Sequence, residues 1–246
     1  AELCVQIIGG SAFLIFNLFM QANGYDDPDI AKFTSFRFLS VMLVAFPLGF
    51  FIKGRHLKPF LYIAVMGVPL TTLVILEAVE HHIYWLIYVT TLLWGASFTC
   101  IRVVSIPFIL RNAPKAQHSE GIAASYAMWG LSVFFTGISI FILNHIDSTM
   151  FNEKRLLQLF AVLGLLGIVA VANIKQDNRH FESAKPIPTN IGWVKIIKAL
   201  LPTLIIAIGA GLTIQFMNLF FSNVYGVRSR DFALLGAVTS LIASSG

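Results

Sequence analysis

Charge is scarce in this chain: Asp, Glu, Lys and Arg make up 12% of 246 residues, whereas apolar types make up 57%. Soluble domains average about 25% charged residues, so the composition argues against a water-soluble globular class. Cysteine is nearly absent too. Cys4 and Cys100 stand far apart inside apolar runs, which leaves neither a metal cluster nor a disulfide scaffold to read. HExxH, a nucleophile elbow and a phosphate-binding glycine loop are all missing, and the one Ser/His neighbourhood, His118-Ser119-Glu120, lies in a basic loop. The expectation is therefore no enzyme and no cofactor. A net charge of +5 would suit a polyanion partner in a soluble protein. Here the bases concentrate in loops between apolar runs, so no nucleic-acid function follows.

What is present is apolar length. Residues 33–52 and 59–78 form two runs of about 20 residues, and at about 1.5 Å per helical residue each spans a hydrocarbon core of about 30 Å. Runs at 4–21, 83–110, 122–144, 156–174 and 196–224 repeat the pattern, and an eighth begins at Phe232. The expected fold class is an all-α polytopic membrane protein with lipid as its solvent. Loops 53–58, 111–120 and 175–198 hold ten Lys/Arg, against five in 22–32, 80–82, 145–155 and 225–231. Basic loops stay on the cytoplasmic face, which places the N-terminus inside and Asp26, Asp27 and Asp29 outside. The site of residence is then a cell membrane, the inner one in a Gram-negative cell. Residues 175–194, broken by Pro186 and Pro188, read as a cytoplasmic linker. It divides a six-helix bundle, 1–174, from the start of a second bundle, 195–246, in a chain expected to continue beyond the eighth run and to act as a monomer.

Polar groups inside apolar runs mark candidate sites, because they are costly against lipid. Arg102 lies deep in the fourth run, either as a ligand for an anionic group or as a snorkelling or ion-paired arginine. Arg37 and Glu77 fall at similar depth on antiparallel runs, so they are expected to pair, as a tie between helices or as a gate. Glu77 is the one acid inside a run, and hence the default proton carrier. Gln215 and Asn218 share a helical face, as do Asn17 and Gln21; each pair reads as a ligand for solute or as glue between helices. Glu77, Glu80 and His81 have metal-compatible spacing in a short external turn, but no metal site is expected there.

Six runs, a linker and a new series of runs resemble the major facilitator superfamily. The local resemblance starts at Gly49, which leads into a basic turn as in that family, with Lys53 where members carry aspartate and His56 where they carry glycine. Gly95, the loop 112–120 and Ala123, Ala124 and Ser125 look like the family's passage from fourth to fifth helix. Gly209-Ala210-Gly211, Asn218-Leu219-Phe220-Phe221, Tyr225-Gly226-Val227 and Leu234-Leu235-Gly236 look like its seventh helix and the start of the eighth. The resemblance implies a major-facilitator-like bundle working by alternating access around a midplane site, coupled to H+ or Na+ or to the solute's own gradient. It implies that the first and seventh helices line the cavity, making Asn17, Gln21, Gln215 and Asn218 solute ligands. Trp94, Tyr126 and Trp129 are further candidates, and Lys53 and Arg55 belong to the gating turn. Gly130 and Gly137 have no proline between them, unlike the family's drug/proton antiporters, which favours uptake of a small polar or anionic solute. Multidrug efflux and a receptor or structural role are the alternatives.

Overall fold

The computed structural model describes residues 1–174 and 193–245. Among these, seven helices are long and apolar enough to cross a membrane. They are α1 (Glu2–Ala22), α2 (Asp27–Phe51), α3 (Lys58–Glu80), α4 (Tyr84–Asn112), α5 (His118–Ile146), α6 (Glu153–Ala172) and α7, which runs from Trp193 through a 3-10 turn, Ile214–Phe216, to Tyr225. An eighth, α8 (Ser229–Ser245), follows. The chain is thus a multi-pass all-α membrane protein. Most of the expected linker, 175–192, lies outside the described residues.

The helices reach past the apolar runs because polar residues start and stop them. Asp27 and Asp29, expected in a loop, occupy the first turn of α2, where carboxylates complement the positive end of the helix dipole. Asp26 caps that turn by accepting from the Asp29 N–H at 3.0 Å. Asn152 does the same for α6, accepting from Arg155 N–H at 3.0 Å. Gly226, at φ 65°, ends α7 in the left-handed conformation that glycine adopts without steric cost. Pro107 sits inside α4, which continues through it as one helix.

Consecutive helices alternate direction, so the loops gather at two ends. At the basic end the Arg111 guanidinium donates to Arg55 O at 2.9 Å and Ile52 O at 3.1 Å, and Lys58 Nζ donates to Ala172 O and Ile174 O. Cations here satisfy carbonyls left open at helix C-termini. Lys53 and Arg55, in the loop between α2 and α3, are exposed, with the Arg55 guanidinium 4.6 Å from the Phe51 ring. At the acidic end Tyr25 is buried against His82 and Phe33 and donates its hydroxyl to Val79 O at 3.1 Å. Burial pushes that phenol up to about 12.

Small residues set the closest crossings. A methyl group on Gly137 would stand 2.4 Å from Ala233 O, so α5 and α8 meet backbone to backbone. One on Gly95 would stand 2.5 Å from Arg37 O, which fixes α2 and α4 at that level. Such contact between small residues is how membrane helices gain packing where lipid offers no hydrophobic drive.

Candidate functional site

α1 and α7 both leave α-helical geometry, and they do so side by side. In α1 the segment Ala12–Phe16 is a π-turn; in α7 it is the 3-10 turn Ile214–Phe216. Asn17, just past the first break, donates Nδ2 to Gln215 O at 2.7 Å and to Asn218 Oδ1 at 3.1 Å. Asn218 is 2% exposed; its Nδ2 reaches Leu14 O at 3.3 Å, and its Oδ1 also takes the Leu219 N–H. Two interrupted helices are therefore joined by amides that satisfy each other and the backbone the breaks release.

Beside this joint lies a cavity of about 420 Å³, lined by Gly9 and Phe13 of α1, Arg37, Phe38 and Val41 of α2, Trp94, Phe98, Thr99 and Arg102 of α4, Trp129 of α5, and Ile214 and Gln215 of α7. Its walls are mostly aromatic and aliphatic. Trp94 stacks on Phe98 with centroids 4.9 Å apart and donates Nε1 to Thr72 Oγ1 at 2.9 Å, while Phe13 meets Trp129 edge-on at 6.4 Å. Trp94, Phe98 and Arg102 recur every four residues on one face of α4, a spacing visible in the sequence.

Arg37 lies ten residues into α2, about 15 Å from its start and so near the middle of that helix. Its Nη2 donates to Gln215 Oε1 at 3.3 Å, and its guanidinium sits 5.0 Å and 5.3 Å from the Phe38 and Trp94 ring centres. Among the described residues no carboxylate pairs with it. Arg102 is exposed at the cavity wall and likewise has no ionic or hydrogen-bond partner among the described residues.

The expected Arg37 to Glu77 pair does not form. Glu77 meets Lys154 Nζ at 3.0 Å and accepts from Gln158 Nε2 at 3.2 Å. Lys154 also binds Glu80, and Glu77, Glu80 and His81 are all exposed at the acidic end. The lysine answers those acids from α6, which leaves Arg37 facing the cavity. Gln21 lies outside the cavity, donating to Asn223 Oδ1 at 2.6 Å, and Tyr126 is 65% exposed and is not among the lining residues. Sequence reasoning missed Phe13, Phe98, Asn223 and Lys154; of these only Phe98 carried a periodic signal.

The chain matches no protein-family model, no curated protein and no solved structure.

Proposed function

We propose that the chain belongs to a secondary transporter that moves a small polar or anionic solute across the membrane by alternating access, as its layout's resemblance to the major facilitator superfamily implies. The observation that carries the reading is Arg37: a guanidinium near the middle of a membrane-spanning helix and beside a cavity, with no carboxylate answering it among the described residues. A purely structural arginine at that depth calls for an acid partner or a route to the headgroups. The interrupted α1 and α7 support the same reading, since broken helices at mid-membrane are tolerated where they line a cavity. Two arginines in the wall oppose a lipophilic cation, which counts against drug efflux.

The test is solute flux into proteoliposomes holding the purified full-length protein. Saturable uptake of a small organic anion, faster when the far side is preloaded, is the expected result, and imposed H+ and Na+ gradients identify the coupling ion. Flux that stays linear with concentration for every solute, with folded protein present, removes the proposal.

A further inference from the structure

Resting on the transport reading, we infer that the cavity takes an amphipathic organic anion, with its carboxylate on Arg37 and its apolar or aromatic body against Trp94, Phe98 and Trp129. Three observations meet in this assignment. The first is charge. Among the described residues the lining contains two guanidinium groups and no acid, so a cation in a low-dielectric space lacks a counter-charge that an anionic ligand supplies. Arg37 has five N–H donors, and Gln215 Oε1 is its one acceptor among the described residues, which leaves donors for a carboxylate.

The second observation is the character of the walls. Trp94 and Phe98 are stacked with their planes 8° apart, and Trp94 is held in place by its bond to Thr72. A fixed aromatic wall of this kind favours a ligand with a ring or an alkyl body over a fully hydrated ion such as phosphate. A volume of about 420 Å³ falls in the range of small-molecule pockets.

The third is the spacing of the two cations. Gly95 touches the Arg37 carbonyl, and Arg102 lies seven residues farther along α4, about 10 Å nearer the basic end. Trp94 lies beside the Arg37 guanidinium, and Phe98 falls between Gly95 and Arg102 along α4. Arg102 is exposed and Arg37 partly buried, so an anion approaching from the basic end meets Arg102 first and Arg37 second.

The experiment follows tryptophan emission of the purified full-length protein, since Trp94 and Trp129 line the cavity. The probes are phenylacetate, phenylacetamide and 2-phenylethylamine, nearly isosteric and differing in charge, with acetate and inorganic phosphate as anions lacking a ring. Phenylacetate is expected to bind at least tenfold more tightly than any of the other four. Arg37→Gln should weaken it about thirtyfold or more, and Arg37→Lys should recover only part of the loss. Equal affinity for the three ring compounds, preference for the amine, or binding as tight for phosphate as for phenylacetate overturns the inference. Because the comparison runs on the wild-type protein, it decides even if the Arg37 variants do not fold. Charge-selective binding without flux in proteoliposomes upholds this inference and removes the transport reading; saturable flux of the amine or the amide in preference to phenylacetate does the reverse.

Discussion

The two ends of the bundle are held in different ways. At the acidic end the first six helices are tied to the last two: Gln21 donates to Asn223, Asn223 donates to Asp27 at 3.2 Å, and Ser229 donates to Glu153 at 2.6 Å. At the basic end the ties that Arg111 and Lys58 make stay within the first six helices. α7 divides along the same line. Past its 3-10 turn one face, Asn218 and Leu219, is buried while Phe220, Val224 and Tyr225 stay exposed, whereas before it Leu204, Ile205, Ile206 and Leu212 are all more than half exposed. The contrast shows where polar side chains are used: between the first six helices and the last two at one end, and to finish helix termini at the other.

Bridging the tied end gives the largest expected effect. With Cys4 and Cys100 replaced, Gln21→Cys and Asn223→Cys joined by a short bifunctional thiosulfonate should abolish flux in proteoliposomes, and a reductant should restore it. Undiminished flux with the bridge fully formed breaks the comparison. Next comes the joint between the two interrupted helices. Asn218→Ala leaves the Leu14 carbonyl and the Leu219 N–H without their side-chain partner and should cost about 1–3 kcal/mol in thermal or denaturant unfolding. At the basic end, Arg111→Ala should cost only a few tenths to about 1 kcal/mol in the same assay, because the two carbonyls it covers can turn to water.

Much of the architecture was legible because apolar length is a direct consequence of bilayer thickness: each run of roughly 18 or more residues became a helix. Boundaries were less legible. Asp27 and Asp29 looked like loop residues until their place at a helix N-terminus gave their charge a use. The site was legible in part. Depth alone singled out Arg37 and Arg102, and helical spacing joined Gln215 with Asn218. Partner choice was not readable, because Lys154, which answers Glu77, comes from 77 residues away in the sequence, and no periodicity links the two positions. Nor does periodicity reveal a π-turn, which breaks the very spacing that such an argument relies on.

The smallest expected effects lie in the exposed groups of the acidic end. Glu77→Gln should leave unfolding nearly unchanged, because a surface ion pair contributes little, and a large loss would give the Lys154 tie a weight its exposure does not suggest. Asp147 accepts from the Thr149 hydroxyl and from the Met150 and Thr149 N–H groups, and these bonds hold its carboxyl below the usual range. A lowered carboxyl stabilises the fold above its unfolded value and loses that contribution as pH falls through its folded one. Unfolding measured against pH should therefore show wild type and Asp147→Asn separated near neutrality and converging in acid.

The π-turn in α1 also sets a rotational phase. Widening one turn from 3.6 residues admits an extra residue, so everything after Phe16 is rotated by about 100° from the heading that an unbroken α-helix would give it. Gly9 and Phe13 turn toward the cavity on one heading, while Asn17 and Gln21 turn toward α7 on another. A single-residue deletion within Ala12–Phe16 would remove the extra residue and let α1 run as a regular helix with Asn17 and Gln21 still turned toward α7. Straightening the π-turn with all residues kept would instead swing the amide joint about 100° away from its partner, with every side chain that forms it still present in the chain.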